Sequence, residues 1–304
     1  MEGFLLSLKD YSGYIRESFR EHNLKDLVQR AWSPPEIRDY VYRAVLKRTL
    51  RMHLPPSLPK PNKVLRILAI CCYMADRPNL ADKLVESVEE AKSVKIDLVI
   101  TNNTSCQPSN ATAPYVKYTL LGKKFVSVER IIREQLKPYH NYVIIVDDDV
   151  KLPIEFFDKY FKIVNGFGLI VSQPAASSDS NAPCGKASKQ ITQSIAHLTQ
   201  FVEIGPVTCF EKRAVQLCPF VGGSPMGWGL DFVWPRICRE KRWPMGVVDF
   251  VPVQHKIREV AENYESQKEY LLMHEYLSKV AHVPFCSNDV IGQIIFVKDY
   301  PQIW

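Results

Sequence analysis

From residue 64 onward the apolar positions alternate between two rhythms. Val64 to Cys72 is apolar throughout except for Arg66. Such a run reads as a strand buried on both faces, as in a parallel sheet. Leu80, Ala81, Leu84, Val85, Val88 and Ala91 then recur at helical spacing. Ile96 to Thr101 predicts a second strand, and Val128, Ile131, Ile132 and Leu136 a second helix. Tyr142 to Val146 predicts a third strand. Pro153 opens a helix expected to run to about Val164, and Gly168 to Ser172 predicts a fourth strand. Strand–helix–strand alternation implies right-handed βαβ units in a mostly parallel α/β sheet flanked by helices. After Ala175 a polar, Ser-rich stretch to about Ser188 is expected to be a mobile loop. Residues 246–255, GVVDFVPVQH, predict a further strand that ends on His255.

The first 53 residues follow a different pattern. Ser33-Pro34-Pro35-Glu36 is a helix start, with a Ser cap, prolines in the first turn and a Glu three residues on. Residues 1–60 hold 11 Lys/Arg against 7 Asp/Glu, most of the chain's net charge of +6. Residues 1–53 are therefore expected to form a basic helical extension. One reading packs it on the main domain; the other makes it a peripheral contact with anionic lipid. Leu54 to Asn62, LPPSLPKPN, reads as an extended proline-rich linker. Residues 63–304 would then be the principal domain, with a helical segment at its C-terminal end.

Composition narrows the class. The chain has 304 residues, 46% apolar and 24% charged, which is ordinary for a globular protein with a sizeable core. The mild charge argues against a nucleic-acid partner and suits an anionic ligand such as a nucleotide diphosphate. None of the eight cysteines forms a C-x-x-C pair, so a zinc ribbon is not expected. No apolar stretch approaches the roughly 20 residues that span a bilayer. No secretory signal is evident, and a cytoplasmic setting follows as the expectation. In that setting the sequons at Asn102, Asn103 and Asn110 carry no meaning.

The candidate chemistry begins at residues 142–149, YVIIVDDD. Ligands of open α/β sheets bind beyond the carboxyl ends of the strands, where this triplet falls. In an extended chain residues i and i+2 point the same way, so Asp147 and Asp149 can converge on one ion. Three adjacent carboxylates resist joint ionisation, and a divalent cation relieves that. All-oxygen ligation suits Mg2+ or Mn2+. The competing reading is a solvated acidic turn. Residues 221–231, VGGSPMGWGLD, place four glycines within eight residues. Trp228 offers a flat face to a sugar ring, and Asp231 is either a general base or a cap for a helix starting near Phe232. Glu203 is an acid in apolar context, and His255 is either a metal ligand or a structural histidine.

Five motifs now stand in order: Asp147-Asp148-Asp149, Ser172-Gln173-Pro174-Ala175, Phe201-Val202-Glu203, Trp228-Gly229-Leu230-Asp231, and Gly246-Val247-Val248-Asp249 with His255. In them the chain resembles GT-A nucleotide-sugar transferases, and more closely an uncharacterised glycosyltransferase-like family of plants and bacteria. The resemblance covers about residues 64–258. It implies the Rossmann-like GT-A fold and a metal-dependent, hexosyltransferase-like enzyme. Such an enzyme would move a sugar from a nucleotide-diphosphate donor to a carbohydrate or other hydroxyl acceptor. It further implies that Asp147, Asp149 and His255 hold Mn2+ or Mg2+. Asp148, Tyr73, Arg77, Asn102 and Lys124 would line the nucleotide sugar. Trp228, Gly229 and Glu203 would face the sugar and acceptor, with Asp231 as the base of an inverting reaction. The usual acidic pair at that last place is here Leu230-Asp231. Two other functions compete. A nucleotidyltransferase or other phosphoryl-transfer enzyme would use similar carboxylates, but Cys71-Cys72-Tyr73-Met74-Ala75 lacks the expected glycine-rich phosphate loop. A non-catalytic carbohydrate-binding protein would not need three acids and a histidine around an ion.

Overall fold

Strand β1 (Leu65–Tyr73) buries every side chain except a partly exposed Arg66. Its alternate residues Leu68, Ile70 and Cys72 enter one core cluster with Phe125, Val128, Ile131, Leu230, Val233 and Trp234. Ile67, Ala69 and Cys71 project to the opposite face and are equally buried. A strand sealed on both faces has no place for a polar side chain, which is why its sequence runs apolar.

The computed structural model describes residues 63–119, 122–181, 188–259, 262 and 264–283, and the backbone of Val290–Phe296. The expected basic extension (1–53) and linker (54–62) lie outside the described residues. The described part falls within one unit, Ser57–Trp304. Its other strands are β2 (Val94–Asn102), β3 (Val116–Thr119), β4 (Tyr142–Asp147), β5 (Val150–Lys151), β6 (Val171–Ala176), β7 (Ser194–Thr199), β8 (Val207–Glu211), β9 (Met245–His255) and β10 (Val290–Phe296). The helices are α1 (Ala81–Glu89), α2 (Lys124–Gln135), α3 (Phe156–Gly166), the single turn α4 (Lys212–Val215), α5 (Leu230–Lys241) and α6 (Ser266–Leu277). Among the described residues no helix is long and apolar enough to cross a membrane.

The sheet order is β10-β7-β9-β6-β8-β4-β1-β2-β3, with β5 attached to β9. Seven of these nine strands run one way, and β7 and β8 oppose them. The mostly parallel, Rossmann-like sheet expected from the sequence is therefore present, with two antiparallel strands inserted. Helix α2 packs on β1, and α3 packs on β9 and β2.

Several boundaries differ from the sequence reading for identifiable reasons. The helix expected from Pro153 begins at Phe156, because Phe156 N–H returns to the Pro153 carbonyl and Glu155 sits in the left-handed region. The strand expected from Gly168 begins at Val171. Gly168, at φ +63, ends α3 instead, its N–H bonded to the Asn165 carbonyl. Ser177–Asn181, in the loop expected to be mobile, is tied to β9: Ser177 N–H donates to the Val253 carbonyl and Asn181 N–H to the His255 carbonyl. Residues 182–187 of that loop lie outside the described residues.

Candidate active site

Register places the triplet. Parallel pairing of β1 and β4 sets Cys72 beside Asp147, so the chain leaves the sheet at a row of carboxyl ends. The strand stops there. Asp148 and Asp149 form a turn, and β5 folds back antiparallel onto the end of β9, pairing Val150 with His255. The extended geometry expected to converge Asp147 and Asp149 thus ends at Asp147, which pairs with Lys124, while Asp148 and Asp149 share Arg258. β9 runs two residues past its last pairing with β6, and those residues carry His255 to the triplet.

Asp147 Oδ1 lies 2.6 Å from Lys124 Nζ, which also donates to the Ile204 carbonyl at 3.0 Å. Burial opposes the lysine's charge, but the Asp147 charge and hydrogen bond outweigh it and raise its pKa. Gly205 abuts this pair: a Cβ there would stand 2.7 Å from Nζ and 2.8 Å from Asp147 Oδ2. Asp148 turns inward. Its Oδ2 accepts Met74 N–H at 2.8 Å, its carbonyl accepts Leu80 N–H ahead of α1, and its Oδ1 pairs with Arg258 Nη2. Burial pushes the Asp148 carboxyl up to about 7, with Arg258 and the Met74 N–H working against it. Asp149 Oδ2 accepts Arg258 Nε–H at 2.8 Å, and its Oδ1 lies 3.1 Å from His255 Nε2. Burial would raise Asp149, but hydrogen bonds from His255 and Arg258 prevail and hold it below the usual carboxylate range.

Asp149 and His255 are two neighbouring side chains of the kinds that bind a hard divalent ion. In this structure Asp149 Oδ1 and His255 Nε2 stand 3.1 Å apart, at hydrogen-bond distance, and an ion held by both would take the place of that bond. Mg2+-type sites commonly take one or two protein ligands and complete the shell with water and substrate phosphate. Among the described residues no group of three or more His, Cys, Asp or Glu could hold a metal ion; Asp147 is engaged by Lys124 and Asp149 by Arg258.

The triplet opens on a cavity of 1010 Å³ that also receives Trp228, Gly229, Glu203 and Asp231. The glycine-rich segment enters it tightly. At Gly227, with φ +95, a Cβ would fall 2.3 Å from the Phe125 ring. Trp228 Nε1–H donates to Tyr264 Oη at 3.1 Å, and the two rings meet edge to face. Helix α5 begins at Leu230 with Gly229 at its N-cap and no capping side chain, so Asp231 is not the cap. It sits in the first turn, where its Oδ1 accepts Gly229 N–H at 3.2 Å. Burial pushes the Asp231 carboxyl up to about 7, Glu203 adds to this, and nearby backbone N–H groups oppose it.

The fold brings Asp147, Asp148, Asp149, Lys124, Glu203, Trp228, Gly229, Asp231 and His255 to one cavity. Tyr73, Arg77 and Asn102 are not among its lining residues. Tyr73 is buried under the sheet end. Arg77 is exposed, 3.9 Å from Glu262. Asn102 folds its own loop, with Nδ2–H donated to the Cys106 carbonyl and Oδ1 accepting from Thr104. Its neighbour Asn103 lines the cavity instead. Sequence reasoning missed Arg258 and Tyr264. A basic residue three positions after a candidate ligand histidine was the available signal for Arg258; Tyr264 had none.

No protein-family model matches the chain, and no curated protein matches it in sequence. Solved structures do match. A mannosyltransferase, PcManGT from Pyrobaculum calidifontis, in complex with GDP-Man and Mn2+, superposes with a TM-score of 0.53 at 14% identity. The match covers 81% of this chain and 73% of that one. GalNAc-T7 with UDP, GalNAc and Mn2+ matches at 0.49 and 10% identity, covering 81% of this chain and 57% of that one. S. aureus TarS 1-349 in complex with UDP-GlcNAc matches at 0.47 and 10% identity, over 71% and 66%. The first of these likenesses is one of fold alone, the Rossmann-like GT-A fold expected from the sequence.

Proposed function

We propose that the chain is a metal-dependent glycosyltransferase that moves a hexosyl unit from a nucleotide-diphosphate donor to an acceptor hydroxyl. The observation that supports this is the gathering of Asp149, His255 and Asp231, whose carboxyl is pushed up to about 7, around one cavity at the carboxyl ends of the parallel strands. Asp149 and His255 would hold Mn2+ or Mg2+. Bound there, the ion supplies Lewis-acid charge to the departing diphosphate.

The chain's own residues divide the remaining work. Lys124, neutralised by Asp147 and fixed by the Ile204 carbonyl, lines the donor end. Trp228, held by Tyr264, presents a ring edge and face to the sugar. Asp231 accepts the proton of the acceptor hydroxyl while that oxygen attacks the anomeric carbon. The bond to the diphosphate breaks, and its electron pair leaves with the diphosphate. Direct displacement of this kind inverts the anomeric centre. A base with a pKa near the working pH is suited to the step, because it is substantially ionised and still binds the proton well.

The test is slow donor hydrolysis over a panel of nucleotide sugars with Mn2+. One donor class is expected to be hydrolysed in a metal-dependent way, and Asp149→Ala is expected to lower the rate at least about 100-fold. Equal hydrolysis in excess chelator, or full activity in Asp149→Ala, would contradict the proposal.

A further inference from the structure

The segment that follows β9 belongs to no helix or strand. Lys256, Ile257 and Glu259 are exposed in it, while Arg258 is 8% exposed. The Arg258 guanidinium bridges the acidic turn. Its Nε–H donates to Asp149 Oδ2 at 2.8 Å and its Nη2–H to Asp148 Oδ1. Nη1 is buried as well and, among the described residues, has no hydrogen-bond partner. A buried N–H group left unpaired costs free energy, so hydrogen bonding alone does not account for the guanidinium's place. Charge does. Asp148 and Asp149 are buried side by side, and two such carboxylates resist ionisation unless a cation stands with them.

The same contacts take up both oxygens of Asp149. Oδ2 is on Arg258, and Oδ1 is at hydrogen-bond distance from His255. A divalent ion held by Asp149 and His255 would share one buried carboxylate with a guanidinium. Two cations at such a place repel strongly, because little water lies between them to screen the charge. We propose that Arg258 is the resident counter-cation of the unloaded site, and that a divalent ion binds by displacing it from Asp149. This rests on the metal-dependent reading and adds a built-in competitor to it. The side chain has somewhere to go. Arg258 lines the cavity of 1010 Å³, and Asn181 Nδ2–H holds its carbonyl at 2.7 Å, so the guanidinium can swing while the backbone stays. Two consequences follow from the competition. Arg258 stabilises the metal-free protein, and it lowers the affinity that Asp149 and His255 would otherwise show for the ion.

The test has two arms, neither of which needs donor or turnover. Electron paramagnetic resonance of free Mn2+ measures binding of the ion alone, and thermal melts in chelator measure the unloaded protein. Arg258→Met removes the charge and keeps most of the stem. It is expected to bind Mn2+ at least about tenfold more tightly than wild type. In chelator it should melt below wild type, and saturating Mn2+ should close that gap. Arg258→Lys keeps the charge without the two-armed fork and should lie between the two in both measurements. It also carries the test should the Met variant fail to fold. Adding Asp149→Ala to either variant is expected to abolish the gain in affinity. Mn2+ affinity that is equal in all three proteins, or weaker in the variants, would overturn the proposal and leave the metal-dependent reading standing. Binding to Arg258→Met but never to wild type would overturn displacement and make Arg258 a permanent substitute for the ion. Mn2+ bound by none of the proteins would remove the metal-dependent reading itself, and the proposal with it.

Discussion

Asp149 and Asp231 are carboxylates at one cavity, and their surroundings push them in opposite directions. Both are disfavoured as anions by burial. His255 and Arg258 overcome that at Asp149, while Asp231 has only backbone N–H groups and a neighbouring Glu203, and rises to about 7. Separated pKa values of this kind assign roles: the low one stays an anion, and the high one can exchange a proton near neutrality. With Asp231 as base, kcat/KM is expected to rise with pH through about 7 and level off above it. Asp231→Asn should lose that limb and slow transfer roughly 10²–10⁴-fold. Stability runs the other way. Because the folded pKa is raised, the contribution of Asp231 is full below the ordinary carboxylate value of about 3.9 and is lost as pH rises through about 7. Thermal melts should therefore show Asp231→Asn gaining more in Tm at pH 8 than at pH 5. A pH–rate profile with no ionisation near 7 would remove Asp231 from the reaction.

At the level of elements, α5 connects the core to the base. Its buried face of Leu230, Val233, Trp234, Ile237 and Cys238 sets the height of its first turn, where Asp231 sits. Trp234 is the anchor: fully buried, 4.8 Å from the Phe210 ring, with Nε1–H donated to the Pro219 carbonyl at 2.7 Å. Trp234→Ala should cost about 3–5 kcal/mol of unfolding free energy in urea titrations, and Trp234→Phe markedly less. A cost under about 1 kcal/mol would mean that the site closes around the loss and that α5 is held elsewhere. The legibility of the elements follows the same physics. Strands buried on both faces, β1 and β4, show in the sequence as apolar runs, and β9 shows through its terminal histidine. β7 and β8 do not show, because polar residues interrupt their apolar ones, as in SIAHLT and VTCFE, and leave no continuous run. The turn at Asp148-Asp149 was foreseen only as a solvated one. Its burial depends on β5 finding β9 a hundred residues later, and a local argument cannot contain that pairing. Arg258 shared that fate: a surface-like basic residue in sequence became 8% exposed between two carboxylates.

For the molecule as a whole, the sheet gathers groups that the sequence scatters. Parallel β1, β4 and β6 end together, the inserted β8 carries Gly205 and Pro206 against Asp147, and the overshoot of β9 delivers His255 and Arg258. The fold class and the cavity's acidic end were legible, since strand periodicity and a triplet at a strand end are local signals. The cavity's opposite wall was not, because α6, which lines it with Tyr270, Met273 and His274, carries no motif. The central claim is that Asp149 and His255 create a divalent-ion site that engages a nucleotide diphosphate. Calorimetric titration of UDP and GDP, with and without Mn2+, into wild type, Asp149→Ala and His255→Ala tests it most directly. The account predicts Mn2+-dependent binding of one nucleotide, weakened at least about tenfold in either variant; binding that is the same without Mn2+ and in both variants would contradict it.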